Sequence, residues 1–234
     1  MKLNNWEDFW NSYRKKESQN KEDLFFQVGK TINKIPIEDS LFQDMVDDII
    51  RNLQLNDEDV LMEFCCGNGI ITLPLSTIVK QIYAFDFTEH LIESAKKHSQ
   101  QSNINYTIGD AKSDFMELFQ YEKKPRKFLM NDSLGYFEPN DLVTIIKKIN
   151  CDSFLFYITG VPCDELKWNF YNTPERKYHY LKMQTLEENY NDGIGKWWKV
   201  EEIKTITDNL GLKVVIENQA DAISNFRMNI LISK

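Results

Sequence analysis

The sequence predicts a doubly wound α/β sheet, parallel except for its last strand, with an N-terminal helical arm and an aromatic-rich insert after strand five. Three observations predict it. From Val60 onward, apolar runs of strand length alternate with amphipathic segments, as a parallel sheet covered by helices requires. The run Val60 to Phe64 passes into the turn formed by Cys65, Cys66, Gly67, Asn68 and Gly69, and then into an amphipathic stretch from Ile70 to Val79. Finally, only residues 218–225 separate the last two strands; a parallel crossover needs about a dozen residues or more, so these two pair antiparallel.

The elements follow in order. Trp6, Phe9, Trp10 and Tyr13 share one helical face, which docks the arm on the domain or forms a lid. A polar link from Arg14 to Glu22 follows. Residues 23–31 invite a phosphate-loop reading, but G-x-x-x-x-G-K-S/T needs glycine where Leu24 stands, so that reading is rejected. An amphipathic helix runs from Glu38 to Leu53 with Leu41, Phe42, Met45, Val46, Ile49 and Ile50 inward. Strand two is Gln81 to Asp86, and its following helix reaches Lys97 with Thr88 as N-cap. Strand three is Ile104 to Ile108, and strand four is Lys127 to Met130. Pro139 suits the first turn of the next helix. Strand five is Ser153 to Thr159.

Between Val161 and Lys199 the alternation breaks. Trp168, Phe170, Tyr171, Tyr178, Tyr180, Tyr190, Trp197 and Trp198 crowd a stretch too long for a plain connection. It buries either the sheet edge or a substrate. Within it, Lys177 to Met183 alternates like a strand, with Tyr178 and Tyr180 on one face and His179, Leu181 and Met183 on the other. A helix from Val200 to Asn209, stopped at Gly211, leads to the final strands, Leu212 to Glu217 and Phe226 to Ser233.

Composition sets bounds. The chain has 234 residues, 42% hydrophobic and 13% aromatic, enough for one packed domain with an elaboration. Residues 1–55 read as a helical arm or cap and 56–234 as the main domain, with the insert at 161–199. A net charge of −8 weighs against a nucleic-acid partner, and the basic clusters at 14–16 and 123–127 read as solvated loops. The four cysteines lack CxxC spacing, so neither a metal site nor a disulfide framework is expected. The N-terminus lacks a signal-peptide core and no run reaches transmembrane length, which predicts a cytoplasmic protein without a membrane partner. The oligomeric state is left open.

The glycine turn carries the chemistry. Glycine bends the chain at positive φ, and a helix N-terminus beyond it presents free N–H groups to a nucleotide. Two nucleotides compete. Gly67-x-Gly69 with Asp86 partly mimics the dinucleotide fingerprint G-x-G-x-x-G, but Thr72 stands at its third glycine. Glu63-x-Cys65-x-Gly67-x-Gly69 resembles motif I of class I S-adenosylmethionine (SAM) methyltransferases, an acid followed by x-G-x-G-x-G, with Cys65 in place of the first glycine. The antiparallel final strand matches that family's topology too, so the resemblance extends from Glu38 to the end of the chain. It implies a Rossmann-like sheet, SAM as cofactor and S-adenosylhomocysteine (SAH) as product.

The resemblance also implies roles. Asp86 receives the ribose hydroxyls, Asp110 faces the adenine amino group beside the backbone of Ala111, and Phe87 lies against adenine. Glu63 orders the turn and approaches the SAM ammonium, and the methionine moiety passes Gly67 and Gly69 toward Asn131. Gln27 and Lys30 reach the SAM carboxylate if the arm folds over the cofactor. The Asn131-Asp132-Ser133-Leu134 stretch lacks the Pro-Pro-aromatic sequence of enzymes that methylate nucleobases or glutamine. Segments 25–31, 131–137, 196–198 and 225–231 resemble small-molecule methyltransferases of bacterial surface-polysaccharide clusters.

A methyltransferase mainly aligns an acceptor with the sulfonium, and an alcohol acceptor also needs a base. His179, in the insert covering the methyl group, is the candidate base, against a plain reading as a strand residue. Asp132, Tyr136, Tyr178 and Trp198 are candidate acceptor contacts. The leading expectation is O-methylation of a sugar or nucleotide-linked small molecule. N-methylation of a small amine and a non-catalytic binding partner stand as alternatives.

Overall fold

The computed structural model describes residues 6–13, 20–32, 34–185 and 193–234. Most of the expected polar link and Tyr190 of the insert lie outside these residues.

The arm contributes α1 (Trp6–Ser12), α2 (Lys21–Gln27) and a hairpin pairing Thr31–Ile32 with Ile35–Pro36, followed by α3 (Asp39–Leu53). The main sheet comprises β1 (Val60–Phe64), β2 (Gln81–Asp86), β3 (Ile104–Ile108), β4 (Lys127–Asn131), β5 (Leu155–Pro162), β6 (Lys213–Asn218) and β7 (Arg227–Ser233). Its order is β3-β2-β1-β4-β5-β7-β6. The pairings among β1 to β5 are parallel, while β7 runs antiparallel to both β5 and β6, as the short gap before it requires. Helices α4 (Thr72–Leu75), α5 (Glu89–His98), α6 (Pro139–Lys148), α7 (Lys167–Phe170), α8 (Pro174–Thr185) and α9 (Val200–Asn209) complete the fold.

Side chains alternate through the sheet into two layers. Met62, Phe64, Phe85, Phe128 and Phe156 meet Phe115 on one face. Leu61, Ile82, Ala84 and Leu129 meet Phe42, Val46, Ile49 and Leu53 of α3 on the other. That second face also receives Glu63, which sits among apolar neighbours because β1 is buried along its whole length.

Two expected elements differ. The helix read over Ile70 to Val79 is a single α turn, after which the chain continues in tight turns, with Thr77 N–H donating to Pro74 O and Ile78 N–H to Leu75 O. The strand read over Lys177 to Met183 is part of α8. Pro174 opens that helix, the Thr173 hydroxyl accepts from Arg176 N–H, and Arg, Lys, Leu and Met are better helix than strand formers.

Strand β5 carries a bulge between Ile158 and Val161. Gly160 occupies it at φ +67°, and its N–H and C=O leave the ladder to meet Asn229 Oδ1 and Arg227 Nη1. A Cβ on Gly160 would lie 1.6 Å from Asp132 Oδ1, so the missing side chain is what admits that carboxylate.

Candidate cofactor and acceptor site

The C-terminal ends of β1, β2 and β4 open on one cavity of about 730 Å³ that α1 and the segment Val28 to Lys30 after α2 help to wall. Its size suits a small-molecule site, for which about 300–1,000 Å³ is usual.

The glycine turn forms the floor. Gly69 sits at φ +74°, and a Cβ there would meet Tyr106 Oη at 2.3 Å. Cys65 adopts φ +54° without glycine's freedom, and burial pushes its thiol well above the ordinary range, so it lines the cavity as a neutral group. Asn68 is fully buried; its Nδ2 donates to Leu24 O and Gln27 Oε1, both at 2.9 Å. Ser94 Oγ also donates to Gln27 Oε1 at 3.0 Å. Gln27 thus ties the turn to α2 and α5. It does not line the cavity, which corrects its expected approach to the cofactor, and neither does Gly69.

Two acids divide the work differently from expectation. Asp86 Oδ2 accepts Gly67 N–H at 3.0 Å and its Oδ1 accepts Thr88 N–H at 2.8 Å. Burial raises its carboxyl, and these N–H groups oppose the rise. Glu63 Oε2 instead accepts from Thr72 Oγ1 at 2.7 Å. Burial pushes Glu63 up to about 7 against the opposing effect of the Thr72 bond and the Lys30 charge. Asp86, not Glu63, therefore bonds the glycine turn directly. Exposed Asp110 accepts Lys112 N–H at 2.8 Å, and with Phe87 and Ala111 it lines the cavity beyond Asp86.

The other end of the cavity is built around a charged cluster. Buried Lys30 donates to Asn131 Oδ1 at 2.6 Å and to Asp132 Oδ2. Arg227 Nη1 lies 3.6 Å from Asp132 Oδ1 and donates to Gly160 O. Burial alone would raise the Asp132 carboxyl, but Lys30 and Arg227 outweigh it and hold it below the ordinary range. Asn131 Nδ2 donates to Thr159 Oγ1, and Asp132 N–H donates to Thr159 O at 3.0 Å, which fixes both residues at the end of β4. Tyr136 packs under Trp6 and Trp10, with ring centres 4.4 and 5.6 Å away, and burial raises its phenol. The insert adds Gly193 and Ile194 to the wall.

The cavity therefore gathers Glu63, Cys65, Gly67, Asp86, Phe87, Asp110, Ala111, Asn131, Lys30, Asp132 and Tyr136. Besides Gln27 and Gly69, three further candidates lie elsewhere. His179 and Tyr178 are exposed on α8 and do not line it, because the helix turns them away from the geometry a strand would have given. Trp198 is fully buried, donating Nε1–H to Leu134 O at 3.0 Å, and supports the wall from behind. Arg227, which lines the cavity, and Thr159, which holds Asn131 and Asp132, are positions that sequence reading missed. Among the described residues no cluster of His, Cys, Asp and Glu could hold a metal ion, and no helix is long and apolar enough to cross a membrane.

Residues 61–151 match the methyltransferase domain family. The chain as a whole has the class I methyltransferase fold. Magnesium protoporphyrin IX methyltransferase from Synechocystis PCC 6803, solved with bound SAH, is similar over 98% of both chains at TM-score 0.63 and 14% identity. The DhpI–SAH complex is similar over 96% of this chain and 95% of that one, at TM-score 0.58 and 11% identity. By sequence, the chain is 24% identical over 110 residues to the 23S rRNA (uracil(1939)-C(5))-methyltransferase RlmD of Pasteurella multocida, covering 46% of this chain and 23% of that protein. The chain spans less than a third of the length of the curated relatives it matches. These findings support a SAM-dependent methyltransferase.

One expectation is corrected by the relatives. They are named as RNA methyltransferases, so the net charge does not rule out a nucleic-acid substrate. Net charge sums the whole surface, whereas recognition depends on the local distribution of charge.

Proposed function

We propose that the chain binds SAM between the glycine turn and Asp110 and transfers its methyl group to an oxygen of a small polar molecule held beneath α1. A sugar or nucleotide-linked precursor is the favoured acceptor. One observation carries the reading: a single cavity runs from the acids ending β2 and β3 to the Lys30–Asp132–Arg227 cluster.

In this reading Asp86 accepts from both ribose hydroxyls, using the lone pairs left free by Gly67 and Thr88. Asp110 and Ala111 receive the adenine edge, with Phe87 against its face. The methionine end extends past Gly67 toward Asn131, near Glu63. Lys30 holds Asn131 and Asp132 in place at the junction between donor and acceptor. The sulfonium is itself the electrophile, and the protein supplies alignment. Residues 1–55 act as a cap, and 56–234 as the transferase domain.

The RNA-methyltransferase names of the sequence relatives favour a second reading, a nucleic-acid acceptor. Calorimetric titration with SAM, SAH and NAD tests the cofactor: binding of the first two without NAD supports transfer, and NAD binding alone overturns it. Labelled methyl transfer to sugar nucleotides and to total RNA then separates the two acceptors.

A further inference from the structure

We propose that the acceptor atom is a carboxylate oxygen, so that the product is a methyl ester; this rests on the methyl-transfer reading above.

The acceptor end holds two cations, Lys30 and Arg227, against the one carboxylate of Asp132, leaving one positive charge in excess. The Lys30 ammonium gives two of its three donors to Asn131 and Asp132. Arg227 gives Nη1 to Gly160 O, and the rest of its donor fork belongs to a side chain that lines the cavity. A guanidinium fork matches a carboxylate in bidentate geometry. The bulge at Gly160 is what brings Arg227 and Asp132 together, so the cluster is built into the sheet rather than scattered over its surface.

The side chains around this end suit an acceptor that arrives without a proton. An alcohol loses its proton as the new bond forms, and a base must take it. Asp132 is tied to two cations and Tyr136 is a buried phenol. Glu63, which lines the same cavity, is buried and accepts from Thr72 Oγ1 toward the methionine end, so none of the three stands beside the acceptor as a ready proton acceptor. Among the described residues that line the cavity there is no histidine. A carboxylate needs no base. Its oxygen lone pair attacks the methyl carbon, the C–S bond breaks with its electron pair passing to sulfur, and the sulfonium becomes a neutral thioether. No proton moves. The rings of Trp6, Trp10 and Tyr136, inclined to one another, offer an apolar wall for the body that carries the carboxylate.

The test uses matched pairs, glucuronate with glucose and benzoate with benzyl alcohol, titrated into the SAH-loaded full chain. Each carboxylate is expected to bind at least tenfold more tightly than its neutral partner. Arg227→Gln should reduce that preference to within twofold, Arg227→Lys should keep part of it, and both variants should bind SAH within twofold of wild type. With methyl-labelled SAM, the label on the product should be released as methanol by mild alkali. Equal affinity within the pairs, no binding of either member, a preference retained in Arg227→Gln, or an alkali-stable product overturns the proposal. Failure to bind SAM or SAH at all instead removes the methyl-transfer reading, and this inference with it.

Discussion

Gly67 donates its backbone N–H to the Asp86 carboxylate at 3.0 Å, so the acid that ends β2 is built into the turn that follows β1. Asp86→Ala removes this bond together with the proposed ribose contact. A hydrogen bond to a charged group contributes about 1.5–3 kcal/mol, so SAH affinity is expected to fall between roughly tenfold and a hundredfold. Calorimetry beside a thermal melt reads this out. Unchanged affinity in a folded variant would refute the ribose assignment.

Glu63 makes stability depend on pH. Its folded-state pKa of about 7 lies above the ordinary value, so the folded chain holds that proton more tightly than the unfolded chain does. The contribution is therefore most favourable below the unfolded value of about 4.3 and is lost as pH rises toward 7. Glu63→Gln keeps an acceptor for Thr72 and removes the charge. Its cofactor-free form should show a flatter profile between pH 5 and 8, and at pH 8 should exceed wild type by about 1–3 kcal/mol in urea unfolding.

Asp132 behaves in the opposite sense. Its carboxyl is held below the ordinary range, so its stabilisation is present above about pH 4 and is lost as pH falls through the lower folded value. Lys30→Met leaves Asp132 facing Arg227 alone and should cost about 1–3 kcal/mol, less than a wholly buried pair would because Asp132 is partly exposed. Adding Asp132→Asn should recover part of that loss. A double variant as unstable as the sum of both singles would deny the coupling.

Gly160→Ala introduces a Cβ 1.6 Å from Asp132 Oδ1 at a φ of +67°. The carboxylate must move, and the Arg227 contact moves with it. The expected result is a loss of about 2 kcal/mol or more with SAH affinity preserved, because the bulge lies at the acceptor end. Equal losses of acceptor and SAH binding would mean that the two ends are not separate.

His179→Ala should leave turnover within about twofold of wild type, since surface changes away from a site are usually small. A tenfold fall in kcat would restore His179 as a participant despite its exposed position on α8.

What the sequence disclosed follows from which forces are local. The unbroken apolar run of β1, the turn glycines and the eight-residue gap before β7 each constrain their own neighbourhood, and the sheet obeys them. Residues 177–183 misled because a period of two over one short segment also fits a helix whose aromatic side chains lie on neighbouring faces. The Arg227–Asp132 contact was not legible: its partners are distant in sequence, and the β5 bulge that joins them depends on strand register, which no local pattern records. The segment holding Arg227 and the candidate Asp132 could each be noticed, but not that the two meet.

Asn68 has a further consequence. Its amide clasps Leu24 and Gln27, so the segment before the sheet is fastened to the loop expected to enclose the nucleotide. Loosening one of these pieces must weaken the other, and ligand that steadies the loop must steadily protect α2 as well. Amide hydrogen exchange in α2 should therefore slow on SAH addition, in proportion to occupancy, although no residue of α2 itself lines the cavity. The protein would then report its own saturation through a helix that never touches the ligand.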